Sequence, residues 1–182
     1  QMSGLAGEAE AEIRRHASET YPNECCGALI ALNGAIVEAY RLPNTTAEGP
    51  RRRFRIGPDD YRLPEARARE AGVGRMITIC DRIENFGDVI AIAKKHDDIY
   101  ASVGAHPHYA TDHLALTAER LIELGRHEKV VGVGETGLDQ HYKFSPFEDQ
   151  VAVFRAHAKA AHALGKTLII HTREADAAMA EL

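Results

Sequence analysis

Apolar residues follow two rhythms along this 182-residue chain. In the first third the strongest signal is a pair of β-type runs, Cys26 to Leu32 and Ala35 to Tyr40, flanking Asn33-Gly34. Asn-Gly suits the left-handed backbone of a two-residue turn, so the pattern predicts a hairpin. A helix precedes it, running from a Ser3 cap to about Glu19 and stopped by Pro22. Residues 43–50 read as a loop and Arg51 to Ile56 as a polar, edge-like strand. Pro58-Asp59-Asp60 opens another helix, which Pro64 should bend or restart.

From Gly72 the grammar changes. Met76 to Cys80, Ile99 to Gly104, Val130 to Glu135 and Thr167 to Arg173 predict strands. Between them, Asn85 to His96, Thr117 to Arg126 and a long segment from Ser145-Pro146-Phe147-Glu148 to Gly165 predict helices. Ser145 is the expected cap of the last, with Pro146 at its first position and Glu148 closing a capping box. Runs with nothing polar before their last turn belong to strands covered on both faces. Strand and helix alternating over short connections argues for parallel βαβ units, hence an α/β chain. The expected boundary separates a small α+β segment, 1–64, from the βα repeats, 65–182.

Composition narrows this picture only a little. A net charge of -5 supplies no global positive field, so a nucleic acid would be held at a local site. Arg51-Arg52-Arg53 reads as the solvated face of a strand. The three cysteines, Cys25, Cys26 and Cys80, fit a reducing cytoplasm better than a disulfide framework, and they lack the second Cys pair of a structural zinc site. No apolar stretch approaches the roughly twenty residues of a bilayer span, so no membrane partner is expected.

Chemistry concentrates at two strand ends. The run from Val130 delivers one carboxylate, Glu135, and the run from Thr167 ends in His171 and Arg173. In sheets and barrels of this class the C-terminal strand ends carry the site, and a carboxylate beside an imidazole suits a divalent metal. The bland alternative makes Glu135 a helix cap or the ion-pair partner of Arg173. His106 and His108, around Pro107, serve either the site or its loop. Asp139, in a Gly-x-Asp turn, reads as a local hydrogen-bond acceptor. His157 and His162, among the alanines of the long helix, read as surface or packing residues.

The later part of the chain resembles the TatD family of metal-dependent deoxyribonucleases, which are TIM-barrel hydrolases. The matching residues are Ala71-Gly72-Val73 before Met76-Ile77-Thr78-Ile79, then Ser102-Val103-Gly104-Ala105-His106-Pro107-His108 and Gly134-Glu135-Thr136-Gly137-Leu138-Asp139. Ser145-Pro146 to Gln150 with Phe154, and Ile169-Ile170-His171-Thr172-Arg173-Glu174-Ala175-Asp176, complete the set. The resemblance implies a partial TIM barrel of four βα units that uses a divalent metal, Zn, Mg or Mn, to hydrolyse phosphodiesters, with DNA as a possible substrate. It assigns Glu135 and His171 as metal ligands, and it makes His106 and Arg173 candidates for binding substrate phosphate. The family's opening His-x-His strand and its later histidine and aspartate have no counterpart here, which implies impaired turnover. Such a half barrel leaves two open edges, to be covered by a second copy of the chain or by the N-terminal hairpin, or left partly disordered.

The earlier part resembles the start of a JAMM (MPN-type) metalloprotease domain. Thr20-Tyr21-Pro22-Asn23-Glu24-Cys25-Cys26-Gly27, Asn44-Thr45-Thr46 and Arg53-Phe54-Arg55-Ile56 carry that likeness. It implies a catalytic role for Glu24 toward zinc-activated water, again without the family's own ligands. The rival functions are therefore a zinc isopeptidase fragment and a non-catalytic chimeric module.

Overall fold

The computed structural model describes residues 4–5, 7–23, 25–32, 35–47, 60 and 62–182. Two compact units emerge, Gln1–Gly74 and Arg75–Leu182. The first contains β1 (Gly4–Leu5), α1 (Gly7–Thr20), β2 (Cys26–Leu32), β3 (Ala35–Leu42) and α2 (Arg62–Glu70). β2 and β3 are antiparallel, with Leu32 opposite Ala35, as a two-residue hairpin connection requires. β1 adds to β3 in parallel, a pairing too short to leave a pattern in the sequence. Pro64 lies in the first turn of α2. It is the third residue of that helix, where the backbone N–H has no intrahelical partner to lose. Ion pairs tie the elements together: Arg41 of β3 reaches Glu12 and Glu19 of α1. Arg67 of α2 forks onto both carboxylate oxygens of Glu38 on β3, at 2.7 and 3.1 Å. The expected strand over Arg51 to Ile56, the Ser3 cap, the Asn33-Gly34 turn and Glu24 lie outside the described residues.

The second unit contains β4 (Met76–Thr78), α3 (Phe86–Lys95), β5 (Ile99–Val103), α4 (Ala118–Gly125), β6 (Val130–Asp139), α5 (Phe147–Leu164), β7 (Thr167–Arg173) and α6 (Asp176–Ala180). Its strands pair in sequence order, β4-β5-β6-β7, and every pairing is parallel. Parallel neighbours need a crossover, which α3, α4 and α5 supply. Ala101, Val103, Val130 and Val133 of the sheet pack with Ala93, Leu121, Val153 and Ala160 of those helices to form a buried core. Each large side chain removed from water there contributes about 1.5–3 kcal/mol. Ile77 on β4 and Ile170 on β7, the two edge strands, remain about half exposed at 50% and 48%.

Helix ends follow the sequence in two places and depart from it in a third. The Thr117 side chain accepts the Arg120 N–H and caps α4, and Gly165 ends α5 in the left-handed conformation at φ 61°. The Ser145 cap is not formed. Pro146 occupies the N-cap of α5, and the buried Ser145 hydroxyl instead accepts the Thr111 N–H and donates to the His108 carbonyl. A serine beside a competing loop serves that loop. The expected strand over Met76 to Cys80 also ends early, because the Cys80 N–H donates to the Ser102 hydroxyl at 2.9 Å. The Cys80 thiol is fully buried, donates to the Arg82 carbonyl, and is pushed up to about 11 by that burial.

Candidate metal centre

Glu135 was expected where β6 runs out, but the strand continues to Asp139. What sets Glu135 apart is a break in register against β7 between Val133 and Thr136. Gly134 and Gly137 flank it at φ +131° and +141°, where a Cβ would overlap the carbonyl oxygens of Ile169 and His171. Only glycine permits that close approach of two strands, and the approach brings Glu135 to His171.

Glu135, His171 and His106 converge. One ligand atom from each lies within 4.8 Å of the other two. His171 Nδ1 stands 3.1 Å from Glu135 Oε1 and 3.2 Å from His106 Nε2. On its other side, His171 Nε2 is 3.2 Å from Asp139 Oδ2. The bonds from Glu135 and Asp139 hold His171 above its ordinary pKa, against its partial burial. Glu135 is correspondingly held low by His171. Its partner is thus an imidazole, and the alternative pairing with Arg173 does not occur.

His106 differs from His171 in its protonation chemistry. Burial, reinforced by the neighbouring His108, pushes it down to about 4, so its ring is neutral. Its Nδ1 accepts the His108 N–H at 3.2 Å. A nitrogen that accepts cannot carry the proton, so Nε2 bears it and faces Glu135 and His171 as a donor. In this arrangement His171 can present a bare Nδ1 once it loses a proton, while Nε2–H stays anchored on Asp139. A carboxylate behind an imidazole is the usual support of a metal-binding histidine.

Asp139 organises the rim. Burial raises its pKa, but the Tyr142 N–H and His108 outweigh that effect and keep it low. Oδ1 accepts the N–H groups of His141 and Tyr142, and Oδ2 lies 2.8 Å from His108 Nε2. Arg173 stands apart from the cluster, its guanidinium 4.5 Å above the Tyr142 ring. Glu24 lies outside the described residues. A carboxylate with one or two imidazoles fits a divalent cation such as Zn or Mn by donor chemistry. Among the described residues the cluster brings together one carboxylate and two imidazoles.

Two residues of the site's surroundings escaped sequence reasoning. His157, read as a surface or packing residue, is fully buried, and Gln150 is 1% exposed. They stand seven apart on α5, which puts them on one face with Val153, Phe154, Ala160 and Ala161. That stripe was the available signal, and alanines on both sides obscured it.

The model of the TatD-related DNase family matches residues 57–182, and the chain belongs to that family. The "3'-5' ssDNA/RNA exonuclease TatD" of Erwinia amylovora is 38% identical over 111 residues, which cover 60% of this chain and 42% of that protein. YjjV of Escherichia coli, an uncharacterized metal-dependent hydrolase, is 36% identical over 109 residues, 59% of this chain and 42% of its own length. The crystal structure of YjjV superposes with a TM-score of 0.59 at 29% identity, covering 69% of this chain and 50% of that one. The human 3'-5' RNA nuclease TATDN2 is 38% identical over 89 residues, 48% of this chain and 12% of that protein. The chain thus spans about two-fifths of the length of the bacterial relatives it matches.

Proposed function

We propose that the C-terminal unit carries the metal-binding corner of a TatD-type hydrolase, acting on phosphodiesters of single-stranded DNA or RNA. One observation carries the reading: a carboxylate and an imidazole, Glu135 and His171, meet at 3.1 Å across adjacent parallel strands, with His106 beside them. Glu135 and His171 would hold the metal, which when bound supplies Lewis acidity toward a phosphodiester oxygen. His106, neutral and bearing its proton on Nε2, donates to the substrate. Arg173, steadied on Tyr142, meets phosphate at the rim, where its fork matches the phosphate oxygens. Asp139 holds the His171 proton at Nε2 and so keeps Nδ1 directed inward.

Titration of Mn2+ into the purified chain, followed by assay of a single-stranded oligonucleotide, tests this. Glu135→Ala and His171→Ala are each expected to weaken Mn2+ at least about a hundredfold, the upper end of what loss of a mere ligand support costs. His106→Ala should leave Mn2+ affinity nearly intact and lower turnover. Equal Mn2+ binding by wild type and Glu135→Ala would sink the reading. The relatives' names supply the nucleic-acid substrate, and manganese stands in for whichever of Zn, Mg or Mn is native.

The segment before residue 57 stays outside this scheme, since the family match begins there. Its reading as a fused JAMM-type fragment predicts that Glu24→Ala, and not Glu135→Ala, abolishes metal-dependent isopeptide cleavage. Among the described residues no helix is long and apolar enough to cross a membrane. We read the chain as cytoplasmic, with a second copy covering the edges at Ile77 and Ile170. Light scattering coupled to size exclusion tests that pairing, and a strict monomer rejects it.

A further inference from the structure

Two buried polar side chains of α5, Gln150 and His157, make contacts that the scheme above leaves unused. His157 lies 0% exposed, and Gln150 1%. His157 Nδ1 donates to the Val153 carbonyl of its own helix at 2.8 Å. Its Nε2 accepts the N–H of Ala105 at 3.0 Å, one residue before His106. The ring is therefore satisfied on both sides in a single neutral tautomer. Gln150 is satisfied on every side too: Oε1 accepts the Asp139 N–H at 2.7 Å, and Nε2 donates to the carbonyls of Asp139 at 3.2 Å and Ser145 at 2.7 Å. Asp139 in turn holds His171 and His108.

We propose that Gln150 and His157 are positioning residues that gauge the metal centre, each fixing through backbone hydrogen bonds one of the segments that carry its side chains. The inference rests on the metal-centre reading above. Helical geometry makes the gauge rigid. Residues i and i+7 are about 10 Å apart along one face, so a single helix sets the distance between the segment bearing His106 and the segment bearing Asp139. A buried N–H left without its acceptor costs free energy wherever it is. Ala105 and Asp139 therefore cannot drift from α5 cheaply, and the loops following β5 and β6 inherit that precision. Both side chains bond to backbone and neither hydrogen-bonds to Glu135, His171 or His106, so neither is a catalytic residue.

The test uses the full chain, with Mn2+ titration and NMR amide exchange on the metal-free protein. In His157→Leu, Mn2+ is expected to bind about tenfold more weakly, the lower end of the cost of losing a ligand support, and the Ala105 amide to exchange faster. In Gln150→Leu the same pair of changes falls on Mn2+ and the Asp139 amide. His157→Gln, whose Oε1 can replace Nε2 as acceptor, should restore Mn2+ affinity and Ala105 protection. His157→Asn, too short to reach, should not, and it serves where the leucine variant unfolds. Unchanged Mn2+ affinity in a folded His157→Leu or His157→Asn overturns the proposal, as does failure of His157→Gln to restore it. Should the wild type bind no Mn2+, the metal reading falls, and the ring signals of His106 and His171 decide the gauge alone. They shift in His157→Leu and Gln150→Leu if it holds, and stay in place if it does not.

Discussion

In the N-terminal unit polar side chains meet one another near the surface, Arg41 with Glu12 and Glu19, and Arg67 with Glu38 and Glu70. In the C-terminal unit four buried ones meet backbone instead: Ser102 accepts from Cys80, Ser145 from Thr111, Gln150 from Asp139 and His157 from Ala105. The difference is one of consequence. Two flexible, solvated side chains can find each other in many geometries and gain little. A buried side chain on a specific peptide group defines one location, and its loss strands that group. The first arrangement decorates a fold, whereas the second can hold a site to fractions of an ångström.

Truncating the core breaks the contrast most visibly. Leu121, fully buried, should cost about 2–5 kcal/mol on Leu121→Ala. Leu29, 51% exposed in β2, should cost well under about 1 kcal/mol. Urea denaturation with a probe in each unit measures both, and equal losses would mean that the N-terminal unit has a comparable core. Acid comes next. Burial holds His157 down to about 4, below its ordinary 6.5. The unfolded chain therefore takes up that proton first as pH falls. Stability is complete above about pH 6.5 and declines toward pH 4, by about 3 kcal/mol in all at roughly 1.4 kcal/mol per pH unit. His157→Gln cannot titrate, so it should flatten that part of the stability profile; an unchanged slope assigns the decline to other groups.

Smaller effects follow. Thr136 is 1% exposed and its hydroxyl has no hydrogen-bond partner among the described residues. Thr136→Val keeps the shape and removes an orphaned dipole, so a gain of about 1 kcal/mol is expected in thermal unfolding. A loss would reveal a partner for that hydroxyl. Smallest of all is Arg67→Ala in the N-terminal unit, whose ion pairs are solvated. Its shift in melting midpoint should disappear in about 1 M salt, where the Debye length is near 3 Å. A salt-independent loss would instead mark the Arg67 fork as a fixed structural contact.

How much could be read from the chain follows the same divide. The parallel sheet was legible because burial on both faces demands unbroken apolar runs, and the antiparallel pairing of β2 with β3 because two β-type runs flank an Asn-Gly in the sequence. Glu135 and His171 stood out as polar residues following apolar runs, although both strands continue past them. The long-range bonds were not. Nothing local tells His157 that Ala105, 52 residues away, will offer it an N–H. Ser145 carried every mark of a helix cap yet went to His108 and Thr111, since cap and loop offer a serine equivalent partners. The displacement of Glu135 from the end of β6 depended on two glycines whose meaning appears only when β7 lies beside them.

The seclusion of Cys80 gives the chain an internal clock. Cys25 is exposed in the N-terminal unit, whereas Cys80 is sealed beneath the start of the parallel sheet with its thiol firmly protonated. Alkylation by a small reagent such as iodoacetamide needs access and a thiolate, and the native state denies Cys80 both. Modification at residue 80 must therefore wait for the C-terminal unit to open, and its half-life times that opening while Cys25 reports the reagent. A single mass spectrum read over hours would distinguish a locally breathing sheet from one that opens only when the whole unit unfolds.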